Sequence, residues 1–406
     1  MTRPLPIHRV ELVALLAMLM ATVAFSIDSM LPALPQIGDE LSPGNTNSAQ
    51  LILSAFIVGM GAGTLVTGPL SDRFGRKPVI LTGAALYIFG AALGYMAPSL
   101  ELMVAARLIQ GIGAAGPRVV ALAIIRDFFS GREMARLMSF VMIIFTLFPA
   151  LAPLLGSGII SVAGWRGIFA AFILFALVSS TWLTLRLPES LPREERRTFS
   201  FASILGAARE MAALPMVRLS VMVQTLIFST LFTSISLIQP VFEEVFGMAE
   251  SFPYWFFAIG IFCGTSSIIN ARFVMVYGMR AIVTVALTVS LGLTCLMLAV
   301  RLSGVAPETE FWFYLIWQTS VFYQMGLTIG NLNALAMEPL GHIAGTAASV
   351  IGAISTVFAG VVASIVAQTF DGTALPLYLA ALIFTGCAYP LVMRMRRLER
   401  RRRTAS

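Results

Sequence analysis

The sequence predicts an all-α membrane protein with twelve transmembrane helices in two six-helix bundles and with both termini in the cytoplasm. Three observations predict this fold: an apolar composition, twelve segments long enough to cross a bilayer, and basic residues on one side. The chain is 58% hydrophobic and 12% charged, with a mean hydropathy of +0.88. Soluble domains carry roughly 25% charged residues, so the composition excludes an ordinary soluble fold.

A helix that crosses a bilayer needs about 20 mostly apolar residues. Twelve segments meet this requirement, and they lie near 12–35, 49–70, 78–97, 101–124, 136–160, 165–187, 217–243, 253–275, 279–301, 311–336, 343–369 and 374–394. The first segment follows Arg3 and Arg9 and could pass for a signal peptide. An acid and two prolines at its far end, and the spans that follow, favour a retained helix instead.

Basic residues concentrate on one side of this topology. If both termini are cytoplasmic, all but four of the 27 Lys and Arg residues lie on the cytoplasmic side. The four exceptions are Arg107, Arg118, Arg166 and Arg301. This pattern follows the positive-inside rule, so the net charge of +7 indicates topology rather than nucleic-acid binding. The arginine-rich tail 394–403 could bind RNA or anionic lipid, but it is read as an anchor for the last helix.

The segments divide into an N-terminal six-helix bundle, 1–187, and a C-terminal six-helix bundle with a basic cytoplasmic tail, 217–406. The cytoplasmic linker 188–216 contains a stretch, 199–211, with helical apolar spacing, which predicts an amphipathic helix on the membrane surface. The run 272–280 faintly repeats a turn of the first bundle. Two related bundles around a central cavity leave such repeats in a sequence.

The composition also excludes several classes of function. Three single cysteines, Cys263, Cys295 and Cys387, and only two histidines, His8 and His342, show no spacing suited to a metal ion. A nucleophile–base pair is absent from the segments, and so is a ring of like polar groups that would line a channel. The sequence therefore predicts no enzyme activity, no cofactor and no metal site.

The most informative run is Gly68-Pro-Leu-Ser-Asp-Arg-Phe-Gly-Arg-Lys-Pro78, a charged turn between two apolar segments. Gly75 permits a left-handed turn. Asp72 can meet a helix N-terminus, where a carboxylate is favoured. Arg76 can reach an acid on a neighbouring loop, and Asp127 is the candidate.

This run resembles motif A of the major facilitator superfamily, which joins the second and third helices on the cytoplasmic side. The resemblance implies the major facilitator fold, with a charge cluster that latches the cytoplasmic side shut in the outward-facing state. The residues that it assigns to this gate are Gly68, Asp72, Arg73, Gly75, Arg76 and Asp127. The alternative is that these charges only set the topology.

Asp28 lies within the first apolar segment. A carboxylate there costs about 2.5–3.5 kcal/mol, and such residues usually mark ion or proton pathways. Pro32 lacks the N–H that would bond the Asp28 carbonyl, so the helix is weakened at the acid. Asp28 and Arg107 lie roughly 10 and 9 Å below the periplasmic ends of their segments, so a salt bridge between them is expected. The alternatives are purely structural roles for Asp28 and Arg107, or a position of Asp28 at the aqueous mouth of the protein.

Three further runs, Ser26–Pro35, Arg107–Gly116 and Pro149–Gly156, resemble motifs of twelve-helix drug:proton antiporters. The resemblance is closest to the bicyclomycin-resistance (Bcr/CflA) group. It implies proton coupling through Asp28 and Arg107. The helix kinks that it implies lie at Pro32, Pro149, Pro153 and Gly156.

Arg118 lies roughly 16 Å deeper than Arg107 on the same helical face. It either meets a loop acid such as Glu338 or faces the cavity, where it would attract an anionic or zwitterionic substrate. Other polar residues predicted to line the substrate cavity are Gln110, Gln239, Asn331 and Asn333. The run Met337–Ser349 resembles the junction of the tenth and eleventh helices in the Bcr/CflA group. There, Glu338 and His342 form either a proton relay or a structural turn.

These observations predict a proton-coupled efflux transporter of the bacterial inner membrane, a drug/metabolite:proton antiporter that exports small amphipathic compounds by alternating access. Its expected partners are a small-molecule substrate, protons and membrane lipid, with no nucleic acid, and a monomer is expected. One alternative is an exporter or symporter of a specific anionic or zwitterionic metabolite. Another is a transport-dead membrane receptor, which would be expected to lack the acid–arginine pair.

Overall fold

The computed structural model describes residues 7–196 and 198–405, with all side chains in these ranges except those of Arg132, Ala135, Ser139, Thr146 and 399–405. The regular structure of this part is helical. The α-helices are α1 (Arg9–Asp28), α2 (Leu34–Leu41), α3 (Leu51–Phe74), α4 (Arg76–Tyr95), α5 (Leu100–Phe128), α6 (Gly131–Arg186), α7 (Phe201–Ala213), α8 (Pro215–Pro240), α9 (Phe252–Tyr277), α10 (Met279–Leu302), α11 (Pro307–Met337), α12 (Ala344–Ala367) and α13 (Leu375–Ala405). The arginines of the basic tail beyond residue 398 lie outside the described side chains.

The chain forms two compact units, Met1–Ile204 and Leu205–Ser406. Ten stretches of the described residues are long and apolar enough to cross a membrane, so an all-helical, multi-pass membrane protein is confirmed. Two of the stretches, Arg136–Arg186 and Pro307–Ala367, are 51 and 61 residues long. Each stretch is much longer than one crossing, which needs about 20 residues. Twelve crossings and cytoplasmic termini stay predictions.

The helices break where their backbone cannot continue. α1 ends at Asp28, and Pro32 stands near the start of the short 3-10 helix that follows. α6 contains Pro149 and Pro153, each of which removes one intrahelical hydrogen bond. Its backbone leaves the helical region only at Gly164, where φ is 65° and ψ is −177°. That left-handed φ suits glycine, and the break separates the predicted fifth and sixth segments.

Helix α5 packs against α3 on one side and α4 on the other through glycines that lack the bulk of a Cβ atom. A Cβ on Gly111 would overlap the carbonyl oxygen of Phe56 in α3. A Cβ on Gly113 would overlap the backbone nitrogen of Tyr87 in α4. The glycines of α5 therefore allow close approach of the neighbouring helices.

We expect Gly111→Ala to destabilise the first unit by about 1–3 kcal/mol, because backbone atoms of α3 would have to move to admit the new methyl group. The matched control is Gly292→Ala in α10, where an added Cβ meets nothing within 4 Å. Alanine should stabilise that helix by about 1 kcal/mol or less. The measurement is the midpoint of detergent-induced unfolding, followed by circular dichroism. Equal midpoints for the two variants would contradict this account of α5 packing.

The second unit repeats the glycine turn of the first. Gly75 joins α3 to α4 with φ 105° and ψ 161°, and Gly278 joins α9 to α10 with φ 80° and ψ 157°. Both glycines occupy an extended, positive-φ conformation that residues with a side chain rarely adopt. The faint sequence repeat at 272–280 therefore corresponds to a real structural repeat, although its acidic residue is lost.

Candidate functional site

A charge cluster surrounds the turn between α3 and α4. The Arg76 guanidinium donates to Asp127 through Nε (3.0 Å) and to Asp72 through Nη1 (2.5 Å). It also donates to the Ser71 hydroxyl (2.8 Å). The side chains of Arg76 and Asp127 are only 10% and 12% exposed. The structure thus brings together three of the predicted gate residues, while Arg73 is exposed and stacks on the ring of Phe74.

The linker after α6 completes this cluster. The Glu189 carboxylate accepts hydrogen bonds from the backbone N–H groups of Arg76 (2.8 Å) and Lys77 (3.1 Å). These N–H groups begin α4 and have no partner within the helix, so the carboxylate caps its N-terminus. Ser190 donates to Asp127 (2.7 Å). A Cβ on Gly75 would lie 2.6 Å from a Glu189 oxygen, so only glycine leaves room for this contact.

We expect Arg76→Gln to destabilise the first unit by about 3–5 kcal/mol, because it leaves the largely buried Asp127 carboxylate without its cation. Arg73→Gln is the matched control, since it removes the same charge from the same turn at an exposed position. Its expected effect is within about 0.5 kcal/mol. Thermal unfolding in detergent, followed by tryptophan fluorescence, compares the two. Similar melting temperatures would mean that the cluster has no structural role.

Asp28 is the last residue of α1 and is 5% exposed. No described residue forms a hydrogen bond or an ion pair with its carboxylate. The next residue, Ser29, lies in close contact with α6. A Cβ on Gly156 of α6 would overlap the backbone carbonyl of Ser29. Helix α6 therefore packs directly against the place where α1 ends, and it helps to enclose the acid.

Arg107 is fully buried in α5 and is bound to backbone and amide oxygens. Its guanidinium donates to the carbonyls of Ser26 (2.8 Å) and Ile52 (3.3 Å) and to Gln110 Oε1 (2.7 Å). The ring of Phe56 lies 4.4 Å from the guanidinium carbon. The expected Asp28–Arg107 salt bridge is not formed, because the guanidinium is directed at these oxygens instead.

The physical reason is the end of α1. A helix leaves its last four carbonyls without an intrahelical donor, and the Ser26 carbonyl is one of them because α1 ends at Asp28. Arg107 caps that carbonyl with a positive charge, which is favourable at a helix C-terminus. Tyr87 reaches the same turn through a 2.6 Å hydrogen bond with the Ser26 hydroxyl. The arginine thus positions the backbone next to the acid without neutralising the carboxylate directly.

Arg118 and Gln110 lie on α5 with Arg107, as the spacing predicts. Gln110 is buried and its Nε2 has no partner among the described residues. Arg118 is half-buried, and its Nη1 lies 3.7 Å from the sulfur of Met60. A thioether is a weak acceptor, and no carboxylate in the described part of the chain forms an ion pair with Arg118.

In the second unit, the polar residues predicted for the cavity form local bonds. Gln239 donates to Glu243 (2.7 Å). Asn331 is buried and donates to Asn270 Oδ1 (2.7 Å), while Asn333 is half-buried. These bonds join adjacent helical turns or helices, so they stabilise packing as they stand.

Glu338 and His342 have separate partners. Glu338 lies 3.8 Å from Arg280, at the start of α10, and His342 lies 3.0 Å from Glu210 in α7. The Glu338–Arg280 pair joins the beginning of one helix to the end of the next. Arg76 and Asp127 join the corresponding helix ends in the first unit. This arrangement favours the structural turn over the proton relay.

Glu310 lies just outside the predicted segment 311–336, but the structure places it in the first turn of α11. Its residue is only 3% exposed. Arg301 lies 3.3 Å from one of its oxygens. The other oxygen and the hydroxyls of Tyr314 and Tyr378 are buried without hydrogen-bond partners among the described residues. Helix α11 begins at Pro307, earlier than the apolar pattern indicates.

Residues 14–367 match the sequence profile described as the Major Facilitator Superfamily. The chain belongs to the Major Facilitator Superfamily. It is similar to a bicyclomycin resistance protein homolog of Haemophilus influenzae, with 27% identity over 87% of this chain and 88% of the relative. It is also similar to multidrug resistance protein D of Escherichia coli K12, with 26% identity over 96% of this chain and 97% of the relative.

A solved structure gives the same fold. The xylose transporter XylE from E. coli, in a partially occluded inward-open conformation, superposes with a TM-score of 0.74. Its sequence is 14% identical, and the match covers 95% of this chain and 97% of that one. The resemblance to a major facilitator drug-transporter group is therefore confirmed, and this major facilitator chain is a transporter rather than an enzyme.

Sequence reasoning missed three residues that organise the first unit of this major facilitator protein. Glu189 and Ser190 lie in the linker run 188–192, where a Pro-Glu-Ser sequence carries no motif signal until its distance to Gly75 is known. Tyr87 lies in an apolar segment and gives no hint of its bond to Ser26. In each case the signal is a contact between residues 60 or more positions apart in sequence.

Proposed function

We propose that this major facilitator protein is a proton-coupled exporter of small amphipathic compounds in a bacterial inner membrane. It works by alternating access, and the proton is carried by Asp28. Each of the two long apolar stretches contains a break that can separate two crossings. This fits twelve crossings with both termini in the cytoplasm. Uncompensated burial of the Asp28 carboxylate is the observation that carries the proposal.

The chemistry follows from the surroundings of Asp28. A carboxylate buried without a partner favours its neutral, protonated form over the charged one in an apolar environment. Arg107 caps the helix end at Ser26 and keeps a positive charge nearby, so the ionised form is not prohibitively costly. Movement of α6 against Ser29 would change how much water reaches the acid. Helix α6 would thereby couple the protonation of Asp28 to the conformation of the protein.

The energy of one proton is sufficient for useful export. Moving a charge through the membrane potential yields about 2.3 kcal/mol per 100 mV. A pH difference adds about 1.36 kcal/mol per unit. One proton can therefore drive a substrate gradient of roughly a hundredfold or more. The names of two relatives, which refer to bicyclomycin and multidrug resistance, support efflux as the direction.

A second candidate is transport of an anionic or zwitterionic metabolite. The observation that favours it is Arg118, a half-buried cation whose guanidinium contacts the sulfur of Met60. A buried positive charge without a carboxylate attracts a negative group on a substrate. This candidate keeps the same fold and changes only the cargo.

The test uses the full chain in liposomes that hold a pH-sensitive dye, with bicyclomycin, ethidium and fluorescein as three cargoes of different charge. Antiport predicts that at least one cargo moves outward while protons move inward. Fluorescein alone as the accepted cargo would favour the anionic metabolite transporter. Cargo and protons that move in the same direction would identify a symporter, and binding without transport would identify a receptor.

A further inference from the structure

The first unit contains two clusters of an acid, a tryptophan and an arginine that the proposed proton pathway does not use. In the first turn of α1, the Glu11 carboxylate accepts hydrogen bonds from the Trp182 indole (3.2 Å) and from Nε and Nη2 of Arg186 (2.6 and 2.9 Å). Trp182 and Arg186 lie in the last two turns of α6. A bidentate guanidinium fixes the direction of a carboxylate as well as compensating its charge. We call this cluster the first clamp.

A second clamp repeats this chemistry at the end of α2. The Glu40 carboxylate accepts from the Trp165 indole (2.7 Å) and lies 2.8 Å from Nη2 of Arg166. The Arg166 guanidinium in turn stacks on the Trp165 ring, 4.0 Å from its centroid. Trp165 and Arg166 directly follow the break of α6 at Gly164. Both clamps therefore bind the second half of α6, residues 165–186, and they hold the α1–α2 segment at its two ends.

From the first clamp inward, α1 and the second half of α6 match in length. The rings of Phe25 and Phe172 lie 5.2 Å apart and give a common reference point. Glu11 is 14 positions before Phe25, and Arg186 is 14 positions after Phe172. Each stretch is an unbroken helix, so each spans roughly 21 Å.

Beyond the phenylalanine pair the lengths no longer match. Glu40 is 15 positions after Phe25, or roughly 22 Å as a helix, whereas Arg166 is only 6 positions before Phe172, or roughly 9 Å. The chain from Phe25 to Glu40 is therefore about 13 Å too long to run straight between its two attachments. A bend accommodates this excess, and the break between α1 and α2, residues 29–33, lies in this stretch.

Among the described residues, few ionisable groups lie beside this bend apart from Asp28. Helix α5 contributes Arg107 and α4 contributes Tyr87, and both bond to the residue two positions before the acid. Residues 51–71 of α3 and 141–164 of α6 contain no ionisable side chain. An arginine stays charged and a tyrosine stays neutral near pH 7. A change of charge at the bend is therefore a change at Asp28.

We propose that the two clamps position the proton carrier: they fix both ends of the α1–α2 segment to the second half of α6, so that protonation of Asp28 changes the bend alone. The bend contacts the first half of α6, because a Cβ on Gly156 would overlap the Ser29 carbonyl. Protonation thus moves the first half of α6 relative to the second. The inference rests on the proposed role of Asp28, and in it Glu11 and Glu40 are positioning residues.

The second clamp is tested by Glu40→Ala in the full chain in liposomes. Asp39→Ala is the matched control, because Asp39 is the neighbouring exposed acid of α2. We expect Glu40→Ala to lower pH-driven cargo accumulation about fivefold, the largest shift that a partly exposed ion pair can produce. Its pH profile should become flatter while cargo affinity is unchanged. The control should match the wild type, and a Glu40→Ala protein that also matched it would overturn the proposal.

A covalent clamp distinguishes a fixed attachment from a gate. After Cys263, Cys295 and Cys387 are replaced by alanine, Glu40→Cys and Arg166→Cys are introduced and joined by a reducible bis-methanethiosulfonate. The linked protein should accumulate cargo like its parent, and reduction should lower accumulation about fivefold. A linked protein that exports only after reduction would show that the clamp opens during the cycle, which would overturn the proposal.

Spin labels separate failure of this proposal from failure of the proposed function. On the same cysteine-free background, labels are placed at Gln36, which is exposed in α2, and at Leu174, which is exposed in the second half of α6. We expect one narrow distance at mildly acidic and mildly alkaline pH, and a broad distribution in Glu40→Ala. A distance that changes with pH in the otherwise wild-type chain would overturn the clamps. Export that persists in Asp28→Asn would overturn the proposed function instead, while the label distances would still show whether the clamps hold.

Discussion

Asp28→Asn is expected to abolish pH-driven export while leaving the protein folded and able to bind cargo. Asparagine has nearly the same shape as the aspartate but cannot gain or lose a proton. A pH gradient can therefore no longer drive the transport cycle. Cargo accumulation driven by one proton should fall by roughly a hundredfold, to the uncoupled level. Stability should not fall, because the change replaces a buried carboxylate that has no partner among the described residues by a neutral amide.

The measurement is cargo efflux and dye response in liposomes at a fixed pH difference. Asp39→Asn is the matched control, since Asp39 lies in α2 at the same end of the first unit but is exposed. Its export should equal that of the wild type. Export that persists in Asp28→Asn would place the coupling group elsewhere, and Glu338 and His342 would be tested next.

Arg107→Gln is expected to destabilise the first unit strongly. The guanidinium satisfies three buried acceptors, on Ser26, Ile52 and Gln110. Each buried acceptor left without a donor costs about 1–3 kcal/mol, and glutamine can satisfy one of the three at most. We expect a loss of about 3 kcal/mol or more, seen as a lower unfolding midpoint and a smaller folded yield. Arg107→Lys keeps the charge but not the planar fork, so its loss should be intermediate.

The matched control is Arg118→Gln, on the same helix eleven residues further on. Among the described residues, Arg118 has a weak contact with the sulfur of Met60, so its removal should change the unfolding midpoint little. Transport of an anionic cargo is the property that Arg118→Gln should impair. If Arg118→Gln proved as destabilising as Arg107→Gln, then burial of any arginine in α5, rather than capping of α1, would determine stability.

Much of this protein could be read from its sequence because membrane physics restricts what a chain can do. Only helices satisfy their own backbone hydrogen bonds inside a bilayer, so apolar length and the position of basic residues predict the class of fold. The glycine turn at Gly75 and the charged residues around it were found because they interrupt apolar segments. The break after Asp28 was found because Pro32 lacks an N–H group.

Other features required the structure, because they depend on which helix end meets which side chain. Arg107 was expected to neutralise Asp28 because their depths match, yet it caps the Ser26 carbonyl. Depth along a helix fixes one coordinate, whereas hydrogen bonding also depends on the direction of the side chain. Glu310 lies outside the predicted apolar segment 311–336, because hydropathy cannot distinguish an exposed acid from one buried against an arginine.

The sequence by itself determined that the chain crosses a membrane through apolar helices, that its two halves share a glycine turn, and that an acid and an arginine occur within apolar segments. Those properties depend on composition, spacing and backbone chemistry. Only the tertiary structure decided that Glu189 caps α4, that Gly156 packs against Ser29 beside the acid, and that Arg107 caps the Ser26 carbonyl. These are contacts between distant parts of the chain, and they arise only when helix packing fixes the direction and depth of each side chain.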